Sequence, residues 1–438
     1  MVVCMSNVQT QVGWAKIEIP VAEGTPLAGY EGGSPRLASG IHDPLYVRAV
    51  TIAEGERRVC IVSCDLVAVD TNFVRRLSLK TGRWGIKSED FFLAATHCHA
   101  GPAGLFEEDD TLGGLFSAVA GTPDHNLIDK LEECVLKAVE NSILSLCPAT
   151  LRAGVVESPG IGTDRNNPSS PGDGRLSVLQ FETADGTHAL IYSIACHPTV
   201  LNAENTLVSA DFPGAASRAL EQSPVQFAMF LNGSAGDVST RFTRKSSDFD
   251  EVERLGALLA KEVRRALDIL PPAQADFTLE GSAFSAKLLV RKVGSPEEAG
   301  KTLNRLKTEL AAAQAQGLAK GELRQLESRC EGALMNLLYS QNRPDIEYLS
   351  ISVRLLRIGK LLLVFFPLEV FSALTNSLRE EMPELVPVGY ANGYYGYLPD
   401  AAIEHTDNYE KYTTILAYGE GEALMSEVKR ISKEKQTR

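Results

Sequence analysis

Several things are scarce or missing in this sequence, and each absence excludes something. No apolar run approaches the ~20 residues a membrane-spanning helix needs; the longest, such as Leu361 to Phe366, are far too short. Positive charge is in deficit. There are 43 lysines and arginines against 56 aspartates and glutamates, for a net charge of −13, so neither nucleic acid nor an anionic membrane surface is the expected partner. The eight cysteines contain no Cys-x-x-Cys pair, and Cys60 and Cys64, set in the apolar run "VCIVSCDLVAV", read as buried strand residues and not as metal ligands. The N-terminus "MVVCMSNVQTQVGWAK" lacks the basic start and long apolar core of a signal peptide. With reduced thiols, the simplest expectation is a cytoplasmic protein without stable membrane insertion. Histidine is scarce too, at 7 in 438 residues, which gives weight to where the histidines fall.

What is present fits a large globular protein: 44% hydrophobic and 23% charged residues, in a chain long enough to bury a sizeable core. The first 65 residues read as strands, with a turn at Glu54-Gly55. A helix is expected from Pro123 onward, capped by Thr122, with Ile128, Leu131, Val135, Val139 and Ile143 forming its apolar stripe. Residues 175–197 look like a hairpin turned at Asp185-Gly186. A second amphipathic helix runs from Asp248 and stops at Pro271-Pro272, and "YLSISVRLLRIGKLLLVFFPLE" returns to strands around an Ile358-Gly359-Lys360 turn. Between 295 and 341 the Glu, Lys, Ala, Leu and Gln content predicts two helices packed as a hairpin, an insertion with no legible chemistry. With no linker or repeat, the expectation is one α/β domain over residues 1–438, a large mixed sheet with flanking helices and that inserted hairpin.

Chemistry concentrates at strand ends. In "AATHCHAGPAG", His97 and His99 follow the apolar run "FFLAA"; an extended backbone would point both rings to one side and turn Cys98 away. His197 follows "ALIYSIAC", and Glu369 follows "LLLVFFP". Two imidazoles and a carboxylate are a common catalytic zinc set, with a position left for water or substrate. Each residue also has a plain structural reading, as a cap on a backbone carbonyl or as a partner for an arginine. The stretch "YANGYYGYLPDAAIEHTDNYEKY", with six tyrosines, suits either a packing surface or a pocket lined by phenols.

The segment "THCHAGPAG" resembles the Thr-His-x-His-x-Gly-Pro segment of the neutral/alkaline non-lysosomal ceramidase family. Similar to that family as well are "GIHDPLYVRAVTI", "NTLVSADFPG", "AGDVS" at 235–239, and the twelve-residue spacing of Tyr397 and Tyr409, the latter followed by Glu410. The resemblance runs in order from about residue 12 to 425. It implies a zinc-dependent amidohydrolase fold in which His97, His197, Glu369 and Tyr397 hold Zn2+ and His99, Arg165 and Tyr409 surround the scissile carbonyl of a small-molecule or lipid amide. Metal-activated water would attack that carbonyl. Asp211 would either orient a ligand histidine or cap a turn. The chain departs from the family in three ways. The family's serine before Gly-Asp falls on Gly233, with Ser234 displaced by one; the family's C-terminal β-sandwich is not expected here; and no export signal is read. An N-acyl amide, with a ceramide-like lipid among the candidates, is thus the expected substrate. A zinc esterase, lactonase or deacetylase, or a binding protein on the same scaffold, are the alternatives.

Overall fold

Alternating and continuous apolar runs become eight strands of one twisted sheet: β1 (Gln11–Ile19), β2 (Leu45–Glu54), β3 (Arg57–Cys64), β4 (Ile86–Ala95), β5 (Cys147–Glu157), β6 (Arg175–Thr183), β7 (His188–Ile194) and β8 (Val225–Asn232). A computed structural model describes residues 9–30, 36–107, 121–159 and 161–436. The strand order is β8-β7-β6-β5-β1-β2-β3-β4. The centre is antiparallel, and the outermost pairs, β7 with β8 and β3 with β4, are parallel. Both hairpin turns predicted at Gly55 and Gly186 occur, each glycine at positive φ (60° and 79°), where a side chain would be strained.

A second sheet follows in the order β9 (Leu279–Leu289), β10 (Tyr348–Ile358), β11 (Leu361–Phe365) and β12 (Leu385–Val388). It packs on the inner face of the first, Phe92 against Phe365 with ring centroids 4.6 Å apart. Helices cover the outside. On the large sheet lie α1 (Thr71–Lys80), α2 (His125–Leu144), α3 (Asp211–Leu220) and α4 (Phe249–Ile269). Below the small sheet lie α7 (Ser372–Glu381) and α8 (Glu420–Gln436). The mixed α/β class read from sequence is what the chain adopts, with its main strands divided between two stacked sheets and short two-stranded pairs beside them.

The two helices expected between 295 and 341 are α5 (Pro296–Gln316) and α6 (Lys320–Gln341), joined through Gly317 at φ 70°. One cap was misread. α2 begins after Asp124, not Thr122, because the Asp124 carboxylate accepts from the Asn126 and Leu127 amides at 3.0 and 3.2 Å.

The large sheet curls until its far edges meet. The Ser63 hydroxyl on β3 donates to the Phe230 carbonyl on β8 at 2.7 Å. At the end of β8, the fully buried Asn232 spans the seam: its amide donates to the carbonyls of Thr96 and Cys196, both at 3.1 Å, and its oxygen accepts from the Cys196 amide at 3.3 Å. The segment after β12 pairs along β4, with the Ala95 amide donating to the Tyr390 carbonyl at 3.0 Å and Asn392 to Leu93 at 2.7 Å. The carboxyl ends of β4, β7 and β11 are thereby brought to one point.

Candidate metal centre and its surroundings

His97, two residues past β4, sits at φ 69°. The extended backbone expected for the His-Cys-His segment is therefore not what is found. The left-handed turn still delivers both imidazoles to one place, with His99 Nε2 3.1 Å from His97 Nε2, while the Cys98 thiol donates away to the Ser209 carbonyl at 2.8 Å. Gly29, at φ 93°, makes room for His99; a Cβ there would stand 2.5 Å from Nδ1 of the ring. His197 completes the group, and the three histidines can bring one nitrogen each within 4.8 Å of the others.

Tautomers follow from the hydrogen bonds. Nδ1 of His97 lies 2.6 Å from the Val67 carbonyl, and Nδ1 of His197 lies 2.5 Å from that of Ala235. A carbonyl only accepts, so both Nδ1 atoms carry the proton and both Nε2 atoms present a lone pair. Those lone pairs point at one carboxylate: Glu369 Oε2 is 3.4 Å from His97 Nε2 and 3.1 Å from His197 Nε2. Burial lowers all three imidazoles, His97 to about 3, and so keeps them neutral. Burial raises the Glu369 carboxyl; positive charge on the His97–His197 side, which a bound cation would supply, and the Tyr394 hydroxyl lower it, and together they hold it below its usual range. Tyr394 donates to Oε1 at 2.5 Å and Tyr390 to Oε2 at 3.3 Å.

An ionised carboxylate facing two imidazole lone pairs at about 3 Å, all of it buried, is repulsive as it stands. A cation converts every one of these contacts into an attraction. The donor set of nitrogen and carboxylate oxygen, each imidazole fixed through its other nitrogen to a backbone carbonyl, suits zinc or a similar borderline divalent ion.

Around this core lies a second cluster. Arg165, buried, donates from Nε to Glu410 at 2.6 Å and from Nη2 to the Tyr397 hydroxyl at 3.0 Å. Tyr409 meets the Tyr397 ring edge-on, centroids 5.7 Å apart. Burial holds the Tyr397 phenol well above its usual range, partly offset by Arg165. A small cavity of about 60 Å³ joins the clusters, lined by His97, His99, Glu369, Tyr397 and Tyr409 among others. All seven sequence-predicted site residues are thus gathered here: His97, His197 and Glu369 in mutual contact, His99 against His97, and Arg165, Tyr397 and Tyr409 beside them.

The "AGDVS" segment is the hub. The Ala235 and Val238 carbonyls hold His197, the Asp237 carbonyl accepts from the Arg165 amide at 2.7 Å, and the Gly236 amide donates to Val370 at 2.9 Å. A Cβ on Gly236 would be 2.6 Å from the Glu369 carbonyl, so glycine is required for that approach. The Asp237 carboxylate accepts from the Ser372 amide and hydroxyl at 2.7 and 2.9 Å. Asp211, left open between two roles, caps a turn: it accepts from the Leu201 and Phe212 amides and makes no hydrogen bond to a histidine among the described residues. The Ser234 hydroxyl is buried without a hydrogen-bond partner, so no base is in place to activate it. Several contacts escaped sequence reading. The Tyr390 and Tyr394 hydroxyls could have been sought in the tyrosine-rich stretch, whereas nothing in the sequence signals Asn232 or the Asp237–Ser372 contact.

The fold and the centre together define a mixed α/β protein with a buried histidine–carboxylate site at strand ends. Residues 10–248 match the family model described as neutral/alkaline non-lysosomal ceramidase, N-terminal, and the chain belongs to that family. Glu369, Tyr397 and Tyr409 lie beyond the matched residues. The chain is 28% identical to neutral ceramidase 2 of Arabidopsis thaliana over 52% of this chain and 31% of that protein. It is 26% identical to the neutral ceramidase of Pseudomonas aeruginosa over 57% of this chain and 40% of that protein, so these alignments span well under half of either relative. A longer alignment, at 22% identity, joins 92% of this chain to 73% of the Mycobacterium tuberculosis neutral ceramidase. In three dimensions the chain is similar to the crystal structure of the P. aeruginosa neutral ceramidase, with a TM-score of 0.75 and 21% identity over 97% of this chain and 74% of that one.

Proposed function

We propose that this protein hydrolyses an amide bond, cleaving an N-acyl compound of the ceramide type or a smaller relative, with a zinc ion held by His97, His197, Glu369 and Tyr397. The observation that carries this reading is the pair of neutral imidazoles whose lone pairs converge on a buried, ionised Glu369. When bound, the ion would polarise the substrate carbonyl and acidify a water. His99, against His97 and on the cavity wall, would take up and return a proton. Tyr409 would donate to the developing oxyanion, and Arg165 would hold Tyr397 as an anionic ligand and add positive charge nearby. Membership of the ceramidase family supports amide cleavage over ester or lactone cleavage. The lack of a base beside Ser234 favours attack by water over an acyl-serine.

Among the described residues no helix is long and apolar enough to cross a membrane, and the seven described cysteines are free, which supports a reducing, cytoplasmic setting.

The test is metal content and amide hydrolysis of the purified protein and of His97→Ala and His197→Ala. The expected result is about one zinc per chain in the parent protein, with metal and activity lost together in both variants. Full zinc occupancy in the two variants would reject the assignment.

A further inference from the structure

Beside the histidine centre lies a second, larger space, a cleft of about 580 Å³ that shares Gly29, His99, Tyr397 and Tyr409 with the small cavity. Its far wall is α6, the helix in which sequence reading found no chemistry. Leu323 and Ala203 are the only aliphatic side chains on its described wall, beside the rings of Tyr30, Tyr397 and Tyr409. Its cations fall into two groups. Arg165 and Arg324 are neutralised, the first by Glu410 and the second by Glu331, through two contacts of 2.8 and 2.9 Å, and by Glu327 at 3.5 Å. Arg241 and Arg244 are not. Arg241 donates to the Arg165 carbonyl at 3.2 Å and to the Ser328 hydroxyl at 3.1 Å, and Arg244 donates to the Thr199 carbonyl. Neither meets a carboxylate among the described residues, nor does Lys320 at the start of α6; Glu204 is the one lining carboxylate without a cation. A half-buried guanidinium facing only neutral acceptors keeps an uncompensated charge in a protein whose net charge is −13.

We propose that this cleft binds an anionic group, a carboxylate or a phosphate monoester, on the portion of the substrate that extends away from the histidine centre. This rests on the amide-hydrolase reading and narrows it: the preferred substrate is an N-acyl compound with a negatively charged head, not a neutral two-chain lipid. Planar guanidinium groups with free donors pair with carboxylate and phosphate oxygens. Laying a hydrocarbon chain over Arg241 and Arg244 would instead remove water from both charges with nothing in return. The position is apt, because Arg241 hangs from the backbone of Arg165, whose side chain contacts Tyr397. A charge in the cleft therefore anchors a substrate whose amide reaches the histidines.

The experiment compares the zinc-loaded protein on matched pairs: N-acylglycine against N-acylglycinamide, and N-acyl-O-phosphoethanolamine against N-acylethanolamine, with acyl groups from acetyl to dodecanoyl. The anionic member of at least one pair should be preferred by roughly tenfold or more in kcat/KM, mostly through KM; which pair responds tells carboxylate from phosphate. Arg241→Gln and Arg244→Gln should each cut that preference by roughly fivefold or more. Arg241→Lys, which keeps the charge and is easier to fold, should restore part of it, and Lys320→Gln, at an exposed position, should lower it less. Equal turnover of charged and neutral members, with ratios unmoved by the arginine variants, overturns the proposal while leaving the hydrolase reading intact. If no amide is cleaved, calorimetric titration with inorganic phosphate decides the cleft. Binding lost in Arg241→Gln keeps the anion site and rejects the hydrolase; binding unaffected by the variant overturns the anion site.

Discussion

The histidine centre and the arginine-bearing cleft are neighbours that share a wall, yet opposite rules build them. In the centre, the ligand candidates are oriented by hydrogen bonds: His97 by the Val67 carbonyl, His197 by the Ala235 carbonyl, Glu369 by two tyrosine hydroxyls. Its net character is electron-rich, with lone pairs and a carboxylate turned inward. In the cleft, Arg241 and Arg244 spend donors on neutral carbonyl and hydroxyl oxygens and leave their charge unanswered. One region is short of a cation and the other of an anion, which suits an anionic substrate spanning both around a bound metal.

The sharpest way to break this contrast is at Glu369. Glu369→Gln removes the anion on which both lone pairs converge. Metal affinity should fall by more than about 100-fold, beyond the range for groups that only support a ligand, and hydrolysis should fall with it; retained metal by elemental analysis would show that the imidazoles alone suffice. Next come the two tyrosines. Tyr409→Phe should keep its metal and lose about 10² to 10³ in kcat, whereas Tyr397→Phe should loosen the metal. If both only lower the melting temperature, they pack the loop and nothing more. A smaller effect is expected at the seam. Asn232→Ala leaves the Thr96 and Cys196 groups unsatisfied and should cost about 2–3 kcal/mol in urea unfolding; a loss within about 0.5 kcal/mol would mean that the strand ends stay together without it. Smallest of all is Ser234→Ala, which removes a buried hydroxyl that has no partner. Stability should stay within about 0.5 kcal/mol and most activity should remain; an activity loss as large as that of the histidine variants would revive a serine nucleophile.

The two regions also differ in how far they could be read in advance. His97, His197 and Glu369 each follow an apolar run that ends in a polar residue, and such local patterns survive in a linear chain. So did the hairpins at Gly55 and Gly186 and the two helices between 295 and 341, which rest on turn residues and composition. The cleft had no such signature. Arg241 and Arg244 stand in an unremarkable loop, and Lys320 and Arg324 belong to a helix about 80 residues further on, so the basic wall exists only once the hairpin packs over the strand ends. Nor could the second sheet be separated from the first, since alternation assigns faces and not which sheet a strand joins. The extended path expected for His97 failed for a different reason. A histidine at positive φ is uncommon, and the turn that enforces it is held by contacts with Val67 and Tyr390, both distant in sequence from His97.

Asn232 also has a consequence for how the protein comes apart. His97 hangs from one end of the curled sheet and His197 from near the other, and a single carboxamide laces the two loops across the seam. An ion gripped by both histidines would be a further stitch in that seam. Opening the sheet and releasing the ion then become one event: free metal at 100 times its dissociation constant should raise the unfolding free energy by about 2.7 kcal/mol. Chelation should be felt first along β4, β7 and β8, with faster amide exchange at the three strand ends while the helices behind them are still closed.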